Sequence, residues 1–207
     1  QQKAQIDLQQ SEQEGEMRLA PEGAWMPFVA TQHYAVAGTA FLWRAEIRMA
    51  GGLPVVVVDG FDGAAGRLDA RLLGIVPLAS ASGPEAAKGQ LLRYLPEIAW
   101  VPAAIAANRG LQWEQVDDHH VRGIVAAGRI RAEALFTFDA GGDIIAVSAQ
   151  DRPRIEDGSV PTPWEGRFSD YRVLNGVRVP IRGVVWWALP QGRFEYWRGR
   201  VNSVAWE

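Results

Sequence analysis

The chain contains no cysteine and only three histidines. Disulfides, thiolate nucleophiles and cysteine-ligated metals are therefore excluded, and acid–base chemistry near neutral pH has few imidazoles to draw on. No stretch of eighteen or more consecutive apolar residues occurs, so no helical membrane span is encoded in these 207 residues. Charge of one sign is also missing. Lys and Arg number 21 against 24 Asp and Glu, for a net charge of -3, and the pI is near 5.7. That balance gives no general affinity for nucleic acid or for an anionic membrane surface. There is no Gly-x-Ser-x-Gly elbow, His-Glu-x-x-His pair, phosphate-binding loop or dinucleotide fingerprint. Gly60, Gly63 and Gly66 have turn spacing and precede no helix. Familiar hydrolases, kinases and dehydrogenases lose their support, and no cofactor is indicated.

What is present is apolar and aromatic. Hydrophobic residues make up 48% of the chain, and nine tryptophans are spread from Trp25 to Trp206. Each indole carries a large apolar area and an N–H that needs a partner when buried. Tryptophans in such number either fill a sheet-lined interior or line a pocket. The length suits one domain, 1–207, and no composition break argues for a second. The chain opens on Gln1-Gln2-Lys3 rather than methionine, and the expectation is a trimmed start, with a targeting or anchor segment removed.

Strand patterns dominate. Ala4 to Leu8 alternates apolar and polar, with Gly15 to Leu19 as a candidate partner. Phe41 to Met49 puts Trp43, Ala45, Ile47 and Met49 on one face and Arg44, Glu46 and Arg48 on the other. Val55 to Val58 is a β-branched run of the kind covered on both faces. Arg67 to Leu72 alternates again, and its charged face is expected to pair across the sheet with that of 41–49. Later strands are expected over 111–116, 121–126, 129–138, 144–149, 167–174, 177–187 and 194–206. Asn175-Gly176 is the strongest hairpin signal, because both turn residues need positive φ. Residues 151–166, with Pro153, Pro161, Pro163 and Gly158, read as a long loop.

Only 84–107 reads as helix. Pro84 suits the first helical position and Glu85 the first turn. Leu91, Leu95, Ile98, Pro102 and Ile105 recur at helical spacing, while Gln90, Arg93 and Glu97 fall on another face. Pro96 and Pro102 bend the segment into short pieces. The expected fold class is α+β, mainly antiparallel β: a curved half-barrel sheet closed by a short, proline-kinked helical segment, leaving an apolar cavity between them.

Two resemblances support that shape. Phe168-Ser169-Asp170-Tyr171-Arg172-Val173-Leu174-Asn175-Gly176-Val177-Arg178-Val179-Pro180 resembles the late hairpin of LolA-like lipoprotein carriers, with a tyrosine-bearing strand, a turn ending in glycine and a strand with proline. More of the chain resembles an uncharacterised bacterial family known as a domain of unknown function. The residues that carry this likeness are Trp25-Met26-Pro27-Phe28, Ala30-Thr31-Gln32, Phe41-Leu42-Trp43-Arg44-Ala45, Leu72-Leu73-Gly74-Ile75-Val76-Pro77, Leu92-Arg93-Tyr94-Leu95-Pro96-Glu97 and Trp197-Arg198-Gly199-Arg200. The resemblance implies a LolA-like fold and a periplasmic or cell-envelope setting. It supplies no activity, and no lipoprotein-handling residue transfers position by position.

The candidate site follows from the pattern. Trp43, Ile47, Leu95, Ile98, Trp100 and Phe136 are expected to line the cavity, with Arg93 and Glu97 as a polar anchor at ion-pair spacing. The expected partner is an apolar or amphipathic small molecule such as a lipid or acyl chain. An enzyme using Glu97 or His33 as acid/base in the same cavity stands as an alternative, as does a cell-envelope scaffold that binds another protein. Asp117-Asp118-His119-His120 is the one acid–histidine cluster. Neighbours on a strand point to opposite faces, so it reads as a solvated turn and not as a metal site.

Overall fold

A computed structural model describes residues 8–154 and 157–206. Six strands come first: β1 (Leu8–Met17), β2 (Met26–Ala35), β3 (Phe41–Arg48), β4 (Pro54–Phe61), β5 (Gly66–Leu72) and β6 (Val76–Ala81). The helical segment follows as α1 (Pro84–Glu97), a single 3-10 turn (Ile98–Trp100) and α2 (Ala103–Ala107). Seven more strands complete the chain: β7 (Leu111–Gln115), β8 (His120–Ala127), β9 (Ile130–Phe138), β10 (Ile144–Arg154), β11 (Val160–Leu174), β12 (Val177–Leu189) and β13 (Gly192–Trp206).

The thirteen strands among the described residues belong to one antiparallel sheet, ordered β6-β5-β4-β3-β2-β1-β13-β12-β11-β10-β9-β8-β7. The order is two meanders joined in the middle, where β1 pairs with β13. The first meander walks outward to the β6 edge. The helical segment must then travel from that edge to the opposite one, where β7 begins the walk back. Since β6 and β7 lie at opposite ends of the sheet, the only linker between them crosses its concave face. There α1 packs on β4, β5, β8, β9 and β10. Register shifts at Glu12/Gln13, Ala70/Arg71, Ile144/Ala146, Ala149/Arg152 and Val185/Trp186 add local bends, and the strands curl into a half-barrel. No helix among the described residues is long and apolar enough to cross a membrane.

Local chemistry explains most elements. β3 alternates strictly, with Phe41, Trp43, Ala45 and Ile47 buried and the residues between them exposed. In α1, Gly83 takes φ 90 just before Pro84, a conformation open to glycine, and Ala87 N–H returns to Gly83 O at 2.9 Å. Pro96 lies inside the last turn of α1, and Pro102 begins α2, so the bends fall where the missing donors put them. Asn175 and Gly176 have φ 46 and 81, as a tight hairpin requires.

Several expectations are corrected. Of the strand expected over Ala4 to Leu8, Ala4 to Asp7 lies outside the described residues, and Gly15 to Met17 continues the strand that starts at Leu8 instead of pairing with it. Val55 and Val57 are buried, but Val56 and Val58 are half-buried, so β4 is covered mainly on one face. Between β3 and β5 lies β4, so their charged faces do not meet. The ion pairs form within each strand, Arg48 with Glu46 and Arg71 with Asp69. Residues 151–166 are mostly strand. Pro153 sits opposite Pro161 in the β10–β11 ladder, and both lie beyond the stretches where β9 and β12 pair with these strands. Neither missing N–H is then needed by an outer neighbour. β6 was not anticipated, because its hairpin turns through Leu73 and Gly74 at φ 55 and 72, and leucine is a poor signal for positive φ.

One row across the sheet places the aromatic groups. Phe28, Gly15, Gly199, Gly183 and Phe168 are successive cross-strand partners from β2 to β11. A Cβ at Gly199 would lie 2.6 Å from the Trp197 ring, and one at Gly183 would lie 2.8 Å from the Trp100 ring. The three central glycines leave the inner face bare, and the indoles lie down on it.

Candidate functional site

Three separate apolar clusters form inside the half-barrel. The largest surrounds α1 and includes Leu91, Leu92, Leu95, Ile98, Trp100, Phe136 and Phe168. A second holds Phe28, Trp43, Ile47, Val55 and Val57, and a third holds Trp164, Trp187 and Phe194. Where the three meet they do not fill the space. A cavity of about 260 Å³ remains, walled by Trp43, Ile47 and Val57 from one cluster, Trp164, Trp187 and Phe194 from another, and Trp100 and Phe168 from the third.

The aromatic wall is continuous. Trp43 meets Phe28 edge-on at 5.7 Å, Phe28 stacks on Trp197 at 5.7 Å, and Trp197 lies 6.1 Å from Trp100. Trp100 meets Phe168 edge-on at 5.2 Å. Three of the lining indole N–H groups are satisfied within the protein: Trp43 donates to Gln13 Oε1 at 3.0 Å, Trp100 to Pro180 O at 2.9 Å and Trp164 to Tyr196 Oη at 2.9 Å. Their apolar ring surface is what remains for an occupant.

α1 contributes a polar wall. Ala86, Gly89, Gln90, Arg93, Pro96 and Glu97 recur at three- and four-residue steps and all line the cavity. Arg93 Nε donates to Glu97 Oε1 at 2.8 Å, and its Nη1 binds Asp59 Oδ2. Gln90 binds the other Asp59 oxygen, and Gln32 binds Glu97 Oε2. Gln32 in turn accepts from Gln13 at 3.0 Å. The guanidinium lies 4.7 Å from the Trp43 ring and 5.3 Å from that of Phe41. Burial works against the Arg93 charge, but Glu97 and then Asp59 outweigh it and raise the pKa above its ordinary value. Behind this network, Tyr34 Oη donates to Tyr94 O at 2.8 Å, and burial, followed by Tyr94 and Glu97, pushes the Tyr34 phenol well up.

The expected site residues divide in two. Trp43, Ile47, Arg93, Glu97 and Trp100 come together at the cavity. Leu95, Ile98 and Phe136 do not line it. They have no exposed surface and belong to the solid core on the other side of α1. His33 lies on the face of β2 opposite Gln32 and Tyr34, away from Glu97, so His33 and Glu97 do not form one acid–base pair. Asp117 accepts from His119 N and His120 N at 2.9 Å, and from His120 Nδ1 at 2.8 Å, closing a turn. Those bonds, the His119 N–H first, hold its carboxyl below the usual range. Among the described residues no three histidine or acidic side chains gather around a common point.

Trp164, Trp187, Phe194, Tyr196 and Trp197 were not anticipated as a wall. They converge through register: Trp164 pairs with Trp187, and Trp187 with Phe194, in adjacent strands. Arg18, Arg152 and Arg154 also reach the cavity beside them.

Known proteins of similar architecture share this arrangement of sheet and helix. A putative outer membrane lipoprotein-sorting protein domain from Vibrio parahaemolyticus matches with a TM-score of 0.59 at 8% identity, over 97% of this chain and 85% of that one. A LolA superfamily protein from Nitrosomonas europaea matches with a TM-score of 0.50 at 12% identity, over 98% and 86%. A DUF1329 family protein from Desulfovibrio piger matches with a TM-score of 0.51 at 9% identity, over 99% and 87%. The fold is LolA-like. By sequence, the profile of DUF6544, a family of unknown function, matches residues 1–199, and the chain belongs to that family. No curated protein matches it.

Proposed function

We propose that the chain binds an apolar or amphipathic small molecule in the cavity between the sheet and α1. The observation that carries this reading is the unfilled volume of about 260 Å³ where three apolar clusters meet under an aromatic wall. Well-packed interiors leave few voids larger than a water molecule. This one falls just below the usual span of ligand pockets, roughly 300–1,000 Å³. Its size fits one small ligand or a single lipid tail better than several tails.

Trp43, Ile47 and Trp100 would contact the occupant, and Arg93 with Glu97 would set the polarity of the helical wall. Leu95, Ile98 and Phe136 would hold α1 in place from behind. The reading treats 1–207 as one functional unit, because the cavity takes side chains from β1 and β3 as well as from β10 to β13. The likeness to a lipoprotein-sorting domain and to a LolA superfamily protein supports a lipid-like occupant and a setting in the cell envelope.

Native mass spectrometry of protein purified without detergent tests the reading. A bound small amphiphile, recovered in an organic extract, is the expected result. Gly89 faces the cavity, and a side chain added there meets nothing within 4 Å, so Gly89→Phe should fill the space and abolish binding while the fold is kept. Protein that carries no ligand and takes up no aliphatic fluorescent probe would overturn the proposal.

A further inference from the structure

The cavity carries charge at two places, and the two differ in sign. On the helical wall one cation, Arg93, is shared by two carboxylates, Asp59 and Glu97, so a formal negative charge is left over there. At the wall formed by β10, β13 and the chain just after β1, three guanidinium groups lie over neighbouring aromatic rings, with Arg154 touching rings shared with each of the other two. Arg18 lies 4.6 Å from the Trp25 ring and 5.6 Å from Phe194. Arg154 lies 5.7 Å from Phe194 and 6.0 Å from Trp187, and Arg152 lies 5.6 Å from Trp187 and 4.9 Å from Trp164.

Arg18 and Arg152 are not neutralised as Arg93 is. Arg154 pairs with Asp157 at 2.7 Å. Arg18 gives its Nε to Glu195 O at 2.7 Å and its Nη1 to Pro21 O at 2.6 Å, both neutral carbonyls, and has no carboxylate in contact among the described residues. The Arg152 side chain makes no hydrogen bond or ion pair among the described residues, and it lies over two indole rings. Two positive charges therefore border this part of the cavity with no carboxylate paired to them among the described residues. The Arg152 guanidinium lies over indole faces with its N–H donors free of protein partners among the described residues, which suits bidentate binding of a carboxylate or phosphate, and Arg18 keeps Nη2 for the same anion.

We propose that this wall receives an anionic head group, and that the occupant of the cavity is a single-chain amphiphile bearing a carboxylate or phosphate. Arg152 and Arg18 hold the head group, and the tail lies against Trp164, Trp187, Phe168 and Trp100. The helical wall, with its excess carboxylate, excludes the anion and so sets the direction in which the ligand lies. This rests on the cavity-binding reading above and adds the charge and orientation of the occupant.

Four probes with one common tail separate the possibilities: dodecanoate, dodecyl phosphate, dodecanol and dodecyltrimethylammonium, each titrated into the full chain and followed by tryptophan fluorescence and calorimetry. Both anions should bind at least about tenfold more tightly than dodecanol, and the cation most weakly. The ratio of phosphate to carboxylate affinity then tells a phosphorylated lipid from a fatty acid. Arg152→Gln should weaken both anions about tenfold and narrow their gap to dodecanol, whereas Arg152→Lys should retain part of the preference. Arg18→Gln should act in the same direction as Arg152→Gln if that variant does not fold. Dodecanol binding as tightly as the anions, or an anion preference that survives Arg152→Gln and Arg18→Gln, would overturn the head-group assignment and leave the cavity reading standing. Binding by none of the four would overturn both.

Discussion

The two sides of α1 are built from the same fourteen residues and do opposite things. On one side Leu91, Leu92 and Leu95, continued by Ile98, have no exposed surface and belong to the apolar cluster where α1 packs on β8, β9 and β10. On the other side Ala86, Gly89, Gln90, Arg93, Pro96 and Glu97 look onto empty space and indole faces. Apolar residues at helical spacing marked the packed side. The cavity is marked by the complementary stripe of small and polar residues set opposite large aromatic side chains. A void in a folded protein persists only where the facing side chains are too short or too hydrated to fill it, so polarity and small size point to the cavity more reliably than greasiness does.

The largest effect expected from breaking this contrast is on the polar stripe itself. Arg93→Met leaves Asp59 and Glu97 buried together without their cation, and should cost about 3–5 kcal/mol in urea unfolding. A loss below about 1 kcal/mol would mean that water enters the network and that it is not buried as described. Next comes the packed side. Leu95→Ala should cost about 2–5 kcal/mol, with ligand binding reduced only as far as the fold is weakened. If Leu95→Ala instead abolished binding in protein that still folds, the division between packed and lining faces would be wrong.

Smaller still is the link between α1 and β2. Tyr34→Phe removes the hydrogen bond to Tyr94 O and should cost roughly 0.5–1.5 kcal/mol. The same residue gives a pH signature. Its pKa is raised on folding, first by burial and then by Tyr94 and Glu97. The stability it contributes is therefore complete below the ordinary phenol value of 10.0 and is lost as pH climbs above it toward the folded value. Tyr94 and Tyr171 are shifted the same way, chiefly by burial, so near-ultraviolet circular dichroism should show cooperative alkaline unfolding, shallower in Tyr34→Phe. The smallest effect is a gain. Gly89→Ala adds a methyl group that meets nothing within 4 Å and removes a helix-interior glycine, and should stabilise by up to about 1 kcal/mol. A destabilised Gly89→Ala would show that the space beside α1 is already occupied.

Much of the architecture could be read from residue patterns alone. β3 and β5 alternate cleanly, Pro84 and the leucine spacing outline α1, and Asn175-Gly176 marks the hairpin that it forms. What escaped had physical reasons. Leu73 occupies a positive-φ turn normally left to glycine or asparagine, so β6 gave no turn signal. Pro153 and Pro161 look like loop residues until they are seen to face each other at the end of a ladder. In the site, Trp43, Ile47, Arg93, Glu97 and Trp100 were accessible because they sit on elements with strong local periodicity. Trp164, Trp187 and Phe194 depend on the register of three strands, and Arg18 and Arg152 on the curl that brings β10 toward the end of β1. Neither the register nor the curl is written in a local window of sequence.

The sheet ends at β6 and β7, and these two edges are not bonded to each other. A closed barrel has its girth set by a continuous ring of interstrand bonds, and admitting a thicker guest means rupturing some of them. Here the circumference is interrupted, and the seam is spanned by a helix held through side-chain packing. Twisting the two meanders apart about their β1–β13 junction would widen the lumen while every ladder stays intact. A change of girth would thus cost a slide of α1, not the unzipping of strands.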